Sequence, residues 1–199
     1  MKKVILFLSN NEVSRPLYKW LQDQQEEIIW IEEKISIDKI KEMSPSLIIN
    51  YNYRYIIGED IIEYMGDRII NLHISYLPWN RGADPNFWSF IDDSPKGVTI
   101  HLLDKGLDKG DIIVQKEYFF NEDKETFATT YEYLHRKIVE LFIESWERIK
   151  SGNYIVRKQQ GKGSYHSHKQ FVEIVNNIDF SWNSNICDIK KQIDNIKNN

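Results

Sequence analysis

An α/β domain with an open, doubly wound and mostly parallel sheet is the fold this sequence predicts, and three observations lead to it. Short runs rich in β-branched and other apolar residues recur along the first two thirds of the chain, each of ordinary strand length. Helix-like segments separate the early runs, and repeated strand–helix–strand order is the mark of a parallel sheet covered on both faces. From Thr126 the apolar residues change to helical spacing and keep it up to Gly152.

The first run, Val4 to Ser9, reads as a buried strand. With Lys2 and Lys3 before it, it superficially resembles a secretion signal. Its apolar stretch falls short of the usual signal core of roughly 7–15 residues, and Asn10, Asn11 and Glu12 follow without a small-residue cleavage pattern. A helix is expected over Glu12–Gln22, a strand over Ile28–Glu32, a helix over Ile37–Met43, a strand over Leu47–Tyr51 and a helix over Glu59–Met65. Ile69–Ser75, Val98–Leu103 and Ile112–Tyr118 supply further strands. The handedness rule for crossovers favours the open, Rossmann-like winding of these elements.

Phe127, Tyr131, Leu134, Ile138, Leu141, Phe142 and Ile149 lie on one face of a long C-terminal amphipathic helix, where aromatic residues are core and not a cofactor box. After Gly152 the pattern reads as a short strand and a polar loop, with the final Ile-Lys-Asn-Asn frayed. No internal repeat or low-complexity linker divides the chain. A single domain is expected, with residues 1–152 as its body and 153–199 as a short extension packed on it.

Composition narrows the function. The formal charge of −4 gives no basic excess for a nucleic-acid backbone. No apolar stretch approaches the roughly 20 residues that span a bilayer. Cys187 is the single cysteine, so an internal disulfide is impossible and a reducing cytoplasm fits best. Neither nucleic acid nor membrane is expected as a partner.

Several motifs fail on inspection. The first strand is followed by Ser-Asn-Asn-Glu-Val-Ser, without the glycines that let a dinucleotide pyrophosphate approach the backbone. Gly161–Ser164 lacks the earlier glycine of a phosphate-cradling loop. His166 and His168 sit in a polar segment with no third ligand at a useful spacing and read as solvent-exposed, so no metal is expected. His101, on a strand, and His135, on the long helix, read as packed or hydrogen-bonded residues.

Asn71 and His73 differ, because they occupy alternate positions of an apolar strand and emerge on one face. The segment after them holds Pro78, Arg81, Gly82 and Pro85, which suit a shaped loop. Downstream lie Asp104, Asp108 and Asp111, with Gly106 and Gly110, which would allow positive backbone angles and let a ligand come near the main chain. One of these carboxylates could reach the His73 ring; a turn with solvated acids fits the spacing equally well.

Asn71, His73, Ser75, Leu77, Pro78, Arg81 and Gly82, followed by Leu107, Asp108 and Gly110, resemble the two-part motif of the folate-dependent formyltransferase family. That family includes enzymes acting on glycinamide ribonucleotide, initiator methionyl-tRNA and nucleotide-linked amino sugars. The likeness runs from about Lys3 to Lys150 and is strongest between Ile69 and Lys116. It implies that residues 1–152 are a catalytic domain using N10-formyltetrahydrofolate as co-substrate, with no metal.

By the same resemblance Asn71, His73 and Asp108 are the catalytic set. Asn71 and a protonated His73 would donate to the oxygen that becomes negative, one such donor being worth about 3 kcal/mol. An imidazole with an unperturbed pKa near 6.5 can also exchange the protons involved, and Asp108 would orient it. The pterin would lie along Arg54, Tyr55 and Ile56 and the loop holding Leu103, Asp104 and Leu107. Tyr51, Tyr53 and Tyr55 make that first segment bulkier than is common. Trp79, Asn80, Arg81, Gly82 and Asp84 would meet the amine substrate or a phosphate, although Arg81 also reads as a clamp on its own loop.

Among family members, the segments around Arg81 and Asp108 look most like the sugar formyltransferases of bacterial surface-polysaccharide pathways. The chain is too short for the barrel that the methionyl-tRNA enzymes add, and it lacks the glycine-rich turn of the glycinamide ribonucleotide enzymes. A small-molecule amine, nucleotide-linked amino sugar foremost, is therefore the expected substrate. Another amine, or a catalytically silent binder of the same fold, are the alternatives; the presence of all three reactive residues argues against the latter. A homodimer is left open.

Overall fold

The structure is a computed structural model and describes residues 3–197. In chain order it contains β1 (Val4–Leu8), α1 (Arg15–Gln22), β2 (Glu27–Ile31), α2 (Ile37–Met43), β3 (Leu47–Asn50), α3 (Glu59–Met65) and β4 (Ile69–His73). Then follow β5 (Arg81–Gly82), α4 (Pro85–Ile91), β6 (Lys96–Leu102), β7 (Ile112–Tyr118), α5 (Phe127–Ser151), β8 (Tyr165–His166), α6 (His168–Val175) and α7 (Ile186–Lys197).

The central sheet has the order β2-β1-β3-β4-β6-β7. Its pairs are parallel from β2 to β4, while β6 lies antiparallel to both β4 and β7. This is the mostly parallel α/β sheet predicted, with β6 as the single reversed strand.

Alternation along the strands divides the core in two. Ile5, Phe7, Ile49, Ile70, Leu72, Val98 and Ile100 face the layer of α1 and α5, where Leu17, Leu21, Leu134, Ile138, Phe142 and Trp146 cover them. Leu6, Leu8, Ile48 and Ile69 face the other way, onto Ile40 of α2 and Ile61 and Met65 of α3. Two-sided burial explains why these strands read as continuous apolar runs. Local signals also set the helix ends: Thr126 caps α5 through a reciprocal pairing with Thr129, and Gly152 closes it at φ 69°. No described helix is long and apolar enough to cross a membrane.

Two stretches depart from expectation. The segment after Arg81 is not all loop, because Pro85 starts α4 and its Phe87, Trp88 and Phe90 are buried. The tail after Gly152 was expected to be a short strand followed by a polar loop; its strand, β8, instead lies at Tyr165–His166 in the part read as loop, and two helices follow. Phe171, Ile186, Ile189 and Ile193 of these helices complete a third apolar cluster with Phe87, Phe90 and Phe127. The expected fraying falls partly on Ile196 and Lys197, which belong to α7, and partly on Asn198 and Asn199, which lie outside the described residues.

Candidate active site

Ile70 and Leu72 anchor β4 in one core, so Asn71 and His73 turn to the opposite face at the C-terminal end of the parallel strands. Ligand sites in open α/β sheets lie at such ends. The β4–β6 register places His101 directly opposite Asn71 and, since Ile100 is a core residue, on the same face.

The loop between β6 and β7 brings Asp108 to this group. Asn71 Nδ2 donates to Asp108 Oδ1 at 3.0 Å and lies 3.1 Å from His101 Nε2, while Asn71 Oδ1 accepts from Asn50 Nδ2 at 2.8 Å. Asp108 Oδ2 accepts the Gly82 backbone N–H at 2.9 Å. His73 Nδ1 stands 3.9 Å from Asp108 Oδ2, an ion-pair distance too long for a hydrogen bond.

Partner chemistry assigns the ring protons. His73 Nε2 lies 3.0 Å from the Asn80 carbonyl and His101 Nδ1 lies 2.8 Å from the Leu102 carbonyl. A carbonyl only accepts, so both nitrogens carry hydrogen. Nδ1 is therefore the nitrogen through which His73 gains or loses a proton. His101 Nε2 is left as an acceptor for Asn71 in the neutral ring. Burial alone would raise the Asp108 carboxyl, but His73, His101 and the Gly82 N–H outweigh it and hold the group well below the usual carboxylate range.

Of the three aspartates in the turn, Asp108 alone joins the group of Asn71, His73 and His101; Asp104 lies exposed at the cleft rim and accepts from the Lys105 N–H. Gly106 and Gly110 would allow positive backbone angles but do not take them; in this turn it is Asp108 that takes φ 51°. Aspartate tolerates this region better than most residues. Gly110 serves a different end, since a Cβ there would lie 1.7 Å from the Leu102 carbonyl oxygen.

A cleft of about 760 Å³ opens over the group and is lined by Asn71, His73, His101 and Asp108. Arg54, Tyr55 and Ile56 form one rim and Leu103, Asp104 and Leu107 the other. Ile56 and Leu107 are 84 % and 50 % exposed, apolar surface suited to a flat ring system. Tyr51 is absent from these walls: it is fully buried, with its hydroxyl 2.6 Å from His135 Nδ1. Tyr53 hydrogen-bonds the Glu33 carbonyl. A hollow of about 840 Å³ at the other end of the strands is lined by side chains such as Glu26, Arg68 and Lys150 and contains no histidine.

The loop after β4 divides in its roles. Gly82 and Asp84 line the cleft. Trp79 stands partly exposed outside its walls. Asn80 was expected to meet substrate but is fully buried, its side chain held by Ser94 and Ser164 at 2.8 and 3.1 Å. Its contribution to the site is the carbonyl that holds His73. Arg81 is a clamp, donating through Nε and Nη2 to Gln159 Oε1 at 3.0 and 2.7 Å.

The tail secures this loop. β8 pairs with β5, the Ala83 N–H donates to the His166 carbonyl, and a Cβ at Gly82 would lie 2.3 Å from that same oxygen. His166 is not a solvent-exposed side chain: it stacks on Trp88 with ring centroids 3.9 Å apart and pairs with Asp92 at 2.8 Å. His168 is exposed and pairs with Asp84 at 2.8 Å. Sequence reasoning overlooked His101 and Gln159 as members of the site. The alternation of Thr99 and His101 against buried Val98 and Ile100 was a signal for the first; none marked the second.

The family model described as formyl transferase matches residues 23–145, well over half of the chain. The chain belongs to the formyl transferase family. Methionyl-tRNA formyltransferase of Caldanaerobacter subterraneus is 30 % identical over 162 residues, covering 81 % of this chain and 51 % of that protein. The dTDP-4-amino-4,6-dideoxyglucose formyltransferase of Mycobacterium bovis is 34 % identical over 109 residues, 55 % of this chain and 46 % of that one. The chain thus spans about half the length of these curated relatives.

Among solved formyltransferase structures, PseJ from Anoxybacillus kamchatkensis superposes with a TM-score of 0.86 at 42 % identity, covering 94 % of this chain and 97 % of PseJ. PseJ was crystallised with UDP-4,6-dideoxy-4-formamido-L-AltNAc and tetrahydrofolate.

Proposed function

We propose that this formyltransferase-family chain transfers the formyl group of N10-formyltetrahydrofolate to the primary amine of a nucleotide-linked amino sugar, a step in making bacterial surface polysaccharide. The observation that carries the chemistry is the meeting of Asn71, His73 and Asp108 at the base of one cleft. Likeness to PseJ over nearly the whole of both chains supports the sugar as acceptor.

Formyltetrahydrofolate supplies the electrophilic carbon, and the rims at Arg54–Ile56 and Leu103–Leu107 would hold its ring system. His73 then acts through Nδ1. Because the Asn80 carbonyl retains the Nε2 proton, Nδ1 accepts the proton shed by the attacking amine and returns it to the departing nitrogen. Asp108 stabilises the charged ring across 3.9 Å, a gap wide enough to involve a bridging water. One hydrogen of the Asn71 amide is held by Asp108. The other is held by His101 Nε2 in this structure, and we assign it to the oxygen that becomes negative once it turns from that ring.

The test is a panel of nucleotide-linked amino sugars, with initiator methionyl-tRNA and glycinamide ribonucleotide alongside, each assayed with formyltetrahydrofolate and both the native protein and His73→Ala. Turnover of a sugar by the native protein, lost in the variant, is the expected result. Turnover of the tRNA or the ribonucleotide alone would remove the sugar reading, and equal rates for native and variant would remove the role of His73.

A further inference from the structure

Gln159 stands out in the tail. Its neighbours from Ile155 to Gln160 are exposed, yet it is half-buried and points inward. Its Nε2 donates to the carbonyl oxygens of Asp108 and Gly110 at 2.7 and 2.9 Å, and its Oε1 accepts Nε and Nη2 of Arg81 at 3.0 and 2.7 Å. Both amide hydrogens and both lone pairs are thus in use. The amide can be oriented in only one way, because carbonyls only accept and a guanidinium only donates.

The partners matter more than their number. Asp108 holds a left-handed backbone that costs a residue with a Cβ, and such a conformation persists only where its surroundings enforce it. Gln159 grips the backbone of that turn from outside, while the Gly82 N–H grips its carboxylate from inside. Arg81 and Gly82 are adjacent. One short stretch of the β4 loop therefore holds Asp108 twice, directly through a backbone amide and indirectly through the tail amide.

We propose that Gln159 is a positioning residue, which sets the Asp108 carboxylate against Asn71 and His73 from a segment outside the motif-bearing body of the chain. The inference deepens the formyl-transfer reading and rests on it for its catalytic consequence, but not for its geometric one. A competing role as plain scaffold would act through the Arg81 pairing alone.

Two variants separate these roles. Gln159→Met keeps length and shape and removes every hydrogen bond; Gln159→Glu keeps an acceptor for Arg81 but cannot donate to the two carbonyls. For both, kcat is expected to fall at least about tenfold while KM for the folate and the amine stays within about threefold. Native kcat in Gln159→Glu would overturn the proposal in favour of the scaffold, and so would a rise in KM with kcat unchanged.

A second readout needs no turnover. The carboxyl carbon resonance of Asp108, followed through the acid range in native protein and Gln159→Met, is expected to titrate at higher pH in the variant. An unchanged titration in a folded variant would overturn the proposal. A shifted titration in a protein that formylates nothing would uphold the positioning and remove the formyl-transfer reading instead. Should Gln159→Met not fold, Gln159→Glu and its kcat decide.

Discussion

At Asp108, one buried carboxylate serves Asn71 through Oδ1 and Gly82 through Oδ2 while facing two imidazoles. An asparagine in its place could accept on one side only, so Asp108→Asn must forfeit either Gly82 or Asn71 as well as the charge. Its kcat/KM with formyltetrahydrofolate is expected to fall by at least about 100-fold, the lower end of a general acid–base contribution; a loss under tenfold would contradict the role given to the charge. Gly82 is needed for a different reason. It takes φ 89°, and a methyl group there meets the His166 oxygen, so Gly82→Ala should push β8 from β5 and draw the amide away from Asp108. Lower thermal stability together with lower kcat is the expected pair of results.

At the scale of elements, the strands and helices up to Gly152 were legible from their own periods, except β5 and α4, which lie in the stretch read as loop. Ile37–Met43, Glu59–Met65 and Ile112–Tyr118 coincide with α2, α3 and β7 to the residue. The tail was not legible. Ile186, Ile189 and Ile193 have helical spacing, but they are few, and what makes α7 a helix is the aromatic surface of α4 and α5 on which it lies. The tail's grip on the site can be tested at two glycines of one turn. Gly161 and Gly163 take φ 85° and 61°, but a Cβ is unobstructed at Gly161 and would lie 2.1 Å from the Pro78 oxygen at Gly163. In urea unfolding both Ala variants should be destabilised by backbone strain, Gly163→Ala by clearly more; equal losses would show that the contact with Pro78 carries no weight.

For the molecule as a whole, stability should follow pH through the site and through the layer beneath it. Burial pushes His135 on α5 down to about 3, and the native ring stays neutral, its Nδ1 hydrogen-bonded with the Tyr51 hydroxyl at 2.6 Å. An unfolded histidine titrates near 6.5, so between these values the unfolded chain holds the extra proton. Stability therefore falls as pH drops from about 6.5 towards 3, by up to about 1.4 kcal/mol per pH unit. Asp108 adds to this lower in the acid range, because its folded carboxyl stays ionised where the unfolded one takes up a proton. Urea midpoints measured from pH 7.5 to 4.5 should drop for the native protein and drop less for His135→Gln, whose amide can pair with the Tyr51 hydroxyl in either direction. Parallel curves would place the acid sensitivity elsewhere.

What the sequence determined by itself was local and periodic: which runs are strands, which face of β4 carries Asn71 and His73, and the motif that marks the family. Side-chain alternation names a face but not the groups that meet there. The family motif had already singled out Asp108 among the three aspartates; the tertiary structure decided that His101 joins the site across the β4–β6 register, that Asn80 turns inward, and that Gln159 reaches back to the turn. Each of those outcomes depends on strand order and on the path of loops between distant segments, and no local propensity encodes a distance between two parts of the chain that only the sheet brings together.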